Sequence, residues 1–89
     1  MRIVIIGGGV MGTSTAYHLA KRGWRDVLLL ERKQLTAGTT WHAAGLVEAA
    51  GFYDQTTIEM AKYTLQLYAK LEKETGQATG FNPVGMIEI

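Results

Sequence analysis

Short apolar runs and longer amphipathic stretches alternate along the chain, with glycines at their junctions. Residues 2–6 are a β-branched apolar run, typical of a strand buried on both faces of a parallel sheet. Residues 10–22 carry apolar side chains at helical spacing, and Gly23 follows them as a C-cap. Residues 26–31 read DVLLLE and predict a second buried strand. This order predicts two parallel strands joined by a helix, which is one βαβ unit of an α/β fold.

The second half of the chain has a weaker pattern until one long helix begins. Residues 32–40 have the composition of a loop, and the Ala-rich residues 41–50 predict a short helix interrupted at Gly45. Residues 56–75 carry a polar stripe opposite a wide apolar arc, which predicts an amphipathic helix with more than one neighbour. Residues 84–89 are an apolar strand candidate, and a strand there needs a sheet to join.

A glycine-rich motif lies between the first strand and the first helix. Gly7, Gly9 and Gly12 form G-x-G-x-x-G. Gly7 permits the tight turn, Gly9 lets the backbone approach a pyrophosphate, and Gly12 lets the helix pack close to the strand. The first helical residues, Val10 and Met11, offer unpaired amides and the positive end of the helix dipole to the phosphates. The motif therefore predicts a dinucleotide site of Rossmann type.

An acidic residue at the end of the second strand completes the pattern. Glu31 lies 19 residues after Gly12. A carboxylate at this position accepts hydrogen bonds from ribose hydroxyls and repels a 2′-phosphate. Arg32 follows it and is a candidate contact for the adenine or a phosphate. These residues alone do not distinguish NAD from FAD.

Composition restricts the classes of function. Of the 89 residues, 47% are apolar and 19% are charged, which suits a folded domain. The net charge of +1 gives no reason to expect a nucleic acid or an anionic membrane as partner. Without cysteine there are no disulfides, thiolate metal sites or cysteine nucleophiles. No apolar run is long enough to span a bilayer. We expect a cytoplasmic location, and a matured mitochondrial matrix protein would look the same.

Two segments resemble a known family. GGGVMGTSTAYHLAKRGWRDVLLLER resembles the opening of the D-amino-acid oxidase-like flavoproteins, and QLTAGTTWHAAGLV resembles their dimethylglycine and sarcosine dehydrogenase group. The likeness continues through ETGQATGFNPVGMIEI and so covers essentially the whole chain. In that group the histidine of W-H-A-A-G-L is bound covalently to the flavin 8α carbon. The resemblance implies the same role for His42.

The loop that precedes His42 has the chemistry that a flavin needs. It starts at the carboxyl end of the second strand, the edge at which doubly wound sheets bind ligands. Thr39 and Thr40 follow Gly38 there and offer hydroxyls and backbone amides to the pyrophosphate or ribityl chain of FAD. A histidine with an unperturbed pKa near ~6.5 supplies a neutral, nucleophilic imidazole near neutral pH.

The resemblance implies an FAD-dependent oxidoreductase that transfers hydride from a small N-methylated amine, such as dimethylglycine or sarcosine, to the flavin. We expect residues 1–89 to be the N-terminal portion of a larger FAD/NAD(P)-binding domain, without the substrate-binding residues. A tetrahydrofolate-binding domain often follows in the family. Two alternatives stay open: a non-catalytic regulatory subunit that keeps the fold, and an NAD-binding module without flavin. The sequence leaves the electron acceptor and oligomeric state open.

Overall fold

The computed structural model describes residues 1–87 and 89 of the chain. It divides into two compact units, Met1–Gly45 and Leu46–Ile89. The elements in chain order are strand β1 (Ile3–Ile6), helix α1 (Val10–Lys21), strand β2 (Val27–Leu30), a 3-10 helix η1 (Thr39–His42) and helix α2 (Gln55–Thr75). The first four belong to the first unit and α2 belongs to the second.

The first unit is built on a parallel pair of strands. β1 and β2 run in register from the pair Ile3 and Val27 to the pair Ile6 and Leu30. The Gly7 amide donates to the Leu30 carbonyl at 2.8 Å, which carries the pairing one residue beyond β1. The predicted βαβ unit and the Rossmann-like α/β fold class are confirmed, with the strand ends within one residue of those expected.

Helix α1 covers one face of this sheet. Four side chains on the face next to α1 are half-buried: Ile3 and Ile5 on β1, and Val27 and Leu29 on β2. The other face remains exposed, with Val4 at 49% and Ile6 at 87%. The expectation that the strands are buried on both faces is therefore wrong for the residues described, because α1 packs on only one face.

Helix α1 ends in the way its sequence predicts. Gly23 adopts a φ of 89°, in the left-handed region that glycine enters without a Cβ clash. Its amide donates to the Ala20 carbonyl, and the Trp24 amide donates to the Leu19 carbonyl, both at 3.0 Å. These two bonds form a Schellman motif, which satisfies carbonyls that the helix end leaves without partners. The sharp stop turns the chain directly towards β2.

Helix α2 confirms the amphipathic pattern of the second unit. It begins after Asp54, whose side chain accepts a hydrogen bond from the Thr57 amide at 2.9 Å, and it ends at Gly76 with a φ of 71°. Its half-buried apolar residues include Ile58, Ala61, Leu65, Tyr68 and Leu71. The Tyr68 ring lies against the Phe81 ring, with centroids 5.8 Å apart.

Two expected elements are wrong. Residues 43–50 are not helical, because Ala43 is already extended at the end of η1 and Gly45 takes a φ of 82°. Residues 84–87 and 89 form no strand, since the part of the chain that is described offers them no strand partner. The remaining residue of that candidate strand, Glu88, lies outside the described residues. No helix among residues 1–87 and 89 is long and apolar enough to cross a membrane.

Candidate functional site

A cleft of about 390 Å³ opens at the carboxyl ends of the two strands, the edge at which ligands bind in doubly wound sheets. Its volume is in the range of cofactor pockets. The lining residues are Ile6, Gly7, Gly8, Gly9, Leu30, Glu31, Arg32, Lys33, Ala37, Gly38, Thr39 and Thr40. The fold thus brings together six of the predicted site residues from three separate parts of the sequence.

The Glu31 carboxylate binds the backbone of the glycine-rich turn. Its Oε2 accepts from the Gly8 amide at 2.8 Å, and its Oε1 accepts from the Lys33 amide at 3.1 Å. A carboxylate has about four lone-pair positions, so acceptor capacity remains for ribose hydroxyls. The same group can therefore order the turn and bind a nucleotide.

These bonds also favour the charged form of Glu31. The hydrogen bond from the Gly8 amide, and next the one from the Lys33 amide, lower the pKa of Glu31 below its ordinary value. The carboxylate is consequently ionised throughout the neutral pH range. It presents a negative charge to the cleft, as the sequence pattern requires for a ribose without a 2′-phosphate.

The N-terminus of α1 has a cap from a distant residue. Its N-cap, Gly9, has no side chain to accept from the first amides of the helix. The Val10 amide instead donates to Thr40 Oγ1 at 2.9 Å, across 30 residues of sequence. Met11, the next predicted contact, lies largely exposed beside it. The helix start therefore holds the loop of η1, and its N-cap, Gly9, lines the cleft, whereas Val10 and Met11 are not among the lining residues.

Two glycines of the motif lie in close contacts, and at Gly12 the contact excludes a side chain. A Cβ at Gly12 would lie 1.8 Å from the Gly7 carbonyl oxygen, so the predicted close approach of helix and strand is present. A Cβ at Gly9 would lie 3.0 Å from Thr40 Oγ1. Gly9 thus makes room for a side chain of the protein, which the pyrophosphate argument from sequence did not predict.

His42 ends η1 and lies next to the cleft rather than in its lining. Its Nδ1 lies 3.1 Å from the Gly38 carbonyl oxygen, and the Trp41 amide donates to that same oxygen at 3.3 Å. A carbonyl only accepts, so the imidazole donates through Nδ1–H. The lone pair of the neutral ring then resides on Nε2, which is a nucleophilic position on an exposed side chain.

Three residues of the site were missed by the sequence analysis. Gly8 occupies a variable position of the motif, yet it is buried, and its carbonyl accepts from the Thr36 amide at 2.9 Å. Thr36 has a φ of 66°, which is rare for a β-branched residue. Lys33 contributes its amide to Glu31. The backbone contacts of Thr36 and Lys33 leave no signal in the residue types, whereas glycine at position 8 is one, since a Cβ there would lie 2.8 Å from the Leu35 side chain.

The donor set fits a dinucleotide better than a metal ion. Backbone amides at a helix N-terminus, hydroxyls and one carboxylate are the groups that bind a pyrophosphate and a ribose. The Cβ-free surface at Gly9 lies in the same cleft. Within residues 1–87 and 89, no group of three or more acidic, histidine or cysteine side chains is placed to hold a metal.

Comparison with known proteins identifies a matching family and several similar proteins. The family described as FAD-dependent oxidoreductase (DAO) matches residues 2–89. Mitochondrial dimethylglycine dehydrogenase of Rattus norvegicus is 53% identical over 87 residues, 97% of this chain and 10% of that protein. Mitochondrial sarcosine dehydrogenase of Mus musculus is 48% identical over 80 residues, 89% of this chain and 9% of that protein.

A third relative is named as a regulatory subunit and not as a dehydrogenase. The mitochondrial pyruvate dehydrogenase phosphatase regulatory subunit of Mus musculus is 47% identical over 88 residues, which is 99% of this chain and 10% of that protein. The chain thus spans about a tenth of the length of the curated relatives it matches.

Proposed function

Because this chain belongs to the family of FAD-dependent oxidoreductases, we propose that it binds FAD in the cleft of its first unit and that the full-length protein oxidises a small N-methylated amine. Dimethylglycine and sarcosine are the substrates named for its relatives. FAD supplies the redox chemistry by accepting hydride, whereas the protein binds and orients. The single observation that carries the proposal is the cleft in which Glu31, the α1 N-terminus and the η1 loop meet.

Each part of the cleft suits one part of FAD. The start of α1, with the Met11 amide, suits the pyrophosphate, because it lies at the positive end of the helix dipole. The Val10 amide, the other predicted contact, donates to Thr40 Oγ1 instead. The ionised Glu31 suits the adenosine ribose. Arg32 and Thr39 line the same cleft and offer a cation and a hydroxyl. The Gly7 turn keeps the backbone free of side chains there.

We further propose that Nε2 of His42 is bonded to the flavin 8α carbon. The hydrogen bond from Nδ1 to the Gly38 carbonyl supports this, because it leaves the lone pair on Nε2. Attachment forms one C–N bond and breaks one methyl C–H bond. One proton leaves the methyl carbon and one leaves the imidazole, while two electrons pass through the flavin to dioxygen and give hydrogen peroxide.

The experiment is acid precipitation of the full-length protein, followed by tryptic mass spectrometry. We expect the yellow colour to stay with the precipitate and the peptide that contains His42 to carry the flavin mass. His42→Ala should release its flavin into the acid supernatant. His18→Ala is the matched control, because the Nδ1 of His18 also lies close to the carbonyl four residues earlier, at 2.7 Å. Complete acid extraction of flavin from the wild-type protein contradicts attachment but not FAD binding.

A regulatory role is the second candidate, favoured by the likeness to the phosphatase regulatory subunit. The two functions differ in whether bound flavin reacts with amine. Anaerobic addition of dimethylglycine or sarcosine should bleach the flavin absorbance of an oxidoreductase and leave that of a regulatory subunit unchanged. Water would hydrolyse the iminium product to formaldehyde and the demethylated amine, whereas tetrahydrofolate would take up its one-carbon unit. A lower yield of formaldehyde when tetrahydrofolate is added would indicate the second route. The family match leaves no support for a flavin-free NAD-binding module.

The location of the protein is also a proposal. The names of the rat and mouse relatives place those proteins in mitochondria. We keep the cytoplasm as the expected compartment and the mitochondrial matrix as its alternative. Fractionation of cells that express the full-length protein with a C-terminal tag distinguishes the two.

A further inference from the structure

Thr40 connects two parts of the cleft that are far apart in sequence. Its Oγ1 accepts from the Val10 amide at the start of α1, at 2.9 Å. Its carbonyl accepts from the Ala43 amide at 3.3 Å, within the turn that carries His42. The side chain of one threonine therefore fixes the His42 turn to the helix end that suits the pyrophosphate.

The contact has the features of a specific placement. Gly9 provides no cap of its own, so the Val10 amide depends on a partner from outside the helix. Thr40 is half-buried, whereas Trp41 and His42, its successors in the turn, are exposed. A Cβ at Gly9 would crowd Thr40 Oγ1 at 3.0 Å. Glycine at this position thus leaves room for the hydroxyl.

We infer that Thr40 is a positioning residue for flavin attachment: its hydroxyl sets the place of His42 relative to the bound dinucleotide. The inference rests on the proposed link at His42. Thr40 does not touch the bond that forms. It acts by holding the turn, in which the His42 ring in turn donates to the Gly38 carbonyl.

The hydroxyl can keep this role when a phosphate is present. Accepting from Val10 uses an oxygen lone pair, so the hydroxyl hydrogen is still available to donate to an anion. Binding of the dinucleotide and alignment of His42 then depend on one side chain. Removing the hydroxyl should affect attachment of FAD that is already bound, and not only its affinity.

The test is reconstitution of the flavin-free full-length protein with FAD at a series of concentrations. Aliquots are quenched in acid, and the fraction of the His42 peptide with the flavin mass gives the rate of attachment. Flavin fluorescence gives the dissociation constant before attachment. For Thr40→Val we expect a rate at saturating FAD that is about tenfold lower, because a small misplacement of reacting groups has effects of this order or larger.

Two further variants make the result decisive. Thr40→Ser keeps the hydroxyl and should attach flavin at nearly the wild-type rate. Thr15→Val is the matched control, since Thr15 also uses its hydroxyl to bind a backbone group, the Met11 carbonyl at 2.7 Å, outside the cleft lining. It should leave both the rate and the dissociation constant unchanged.

The outcomes separate the two proposals. If wild-type protein attaches flavin and Thr40→Val changes only the dissociation constant, Thr40 is a binding residue and the inference is wrong. A slow Thr40→Ser would equally overturn it, because the hydroxyl would then not be the cause. If the wild-type protein attaches no flavin, the proposed link at His42 fails, and this inference fails with it.

Discussion

At the residue scale, the Glu31 carboxylate connects protonation to the order of the glycine-rich turn. The Gly8 amide, and then the Lys33 amide, lower the pKa of Glu31 from its ordinary value of 4.5. For a group whose folded pKa is lowered, the stabilisation is complete above the ordinary pKa and is lost as the pH falls through the folded pKa. The Gly8 contact should therefore weaken only in acid.

This predicts a pH dependence for the exchange of the Gly8 amide hydrogen. In the flavin-free protein, the protection factor should be constant from neutral pH to about pH 5. At pH values below the ordinary glutamate pKa, the protection factor should decrease. Glu31→Gln should give weaker protection that does not change with pH, because a neutral acceptor binds the amide less strongly. Hydrogen exchange with mass spectrometry measures both. Asp54→Asn, which alters another carboxylate with a lowered pKa, should leave Gly8 unaffected.

Thr36 gives a second prediction at this scale. Its φ of 66° is unfavourable for a β-branched side chain, whereas asparagine enters that region more readily. Thr36→Asn should therefore raise the free energy of unfolding by about 1 kcal/mol, provided the amide still donates to the Gly8 carbonyl. Thr36→Val keeps the unfavourable backbone and should bring no gain. Denaturant titration of the flavin-free protein measures the difference, and equal effects of the two substitutions would contradict the backbone argument.

At the element scale, the residue types predicted the elements whose formation depends on residues that are close together in the sequence. Helix α2 follows from its apolar period, and Gly76 ends it in the left-handed conformation typical of a glycine C-cap. The cap at Asp54 could also have been found, since aspartate before a helical run is a common N-cap. The strand at residues 84–89 was wrong because a strand depends on a neighbour that the pattern of its own residues does not reveal.

The packing of α1 on β1 gives the prediction for this scale. Gly12→Ala places a Cβ 1.8 Å from the Gly7 carbonyl oxygen, so the helix has to move away from the strand. We expect a loss of at least about 2–3 kcal/mol in the free energy of unfolding, in the range of severe core overpacking. Gly38→Ala is the control, because its Cβ meets nothing within 4 Å and its φ of -89° lies outside the left-handed region. Similar losses for both variants would contradict this account.

At the scale of the whole molecule, the sequence predicted the residues of the site better than the contacts that join them. The motif and the residues around His42 identified six of the twelve residues that line the cleft, because dinucleotide sites impose residue types at fixed spacing. The bonds that join the parts, from Gly8 to Glu31 and from Val10 to Thr40, link distant segments through the main chain. Such contacts are set by tertiary structure. The Val10 amide can donate whatever its side chain is, whereas at Gly8 a Cβ would lie 3.0 Å from Glu31 Oε2.

The last prediction concerns these 89 residues as a separate protein. No apolar side chain among the described residues is buried, and Val4, Ile6, Leu28 and Leu30 leave one sheet face open to water. Apolar burial is the main stabilising contribution in folding, and here it is small against a conformational entropy cost of about 1–2 kcal/mol per residue. We therefore expect a loosely packed state that binds the dye ANS, has weak near-ultraviolet circular dichroism and oxidises no amine. The full-length protein, under the same conditions, should bind little dye. A cooperative unfolding transition of the 89-residue chain, with bound FAD and without dye binding, would show that the first unit is stable by itself.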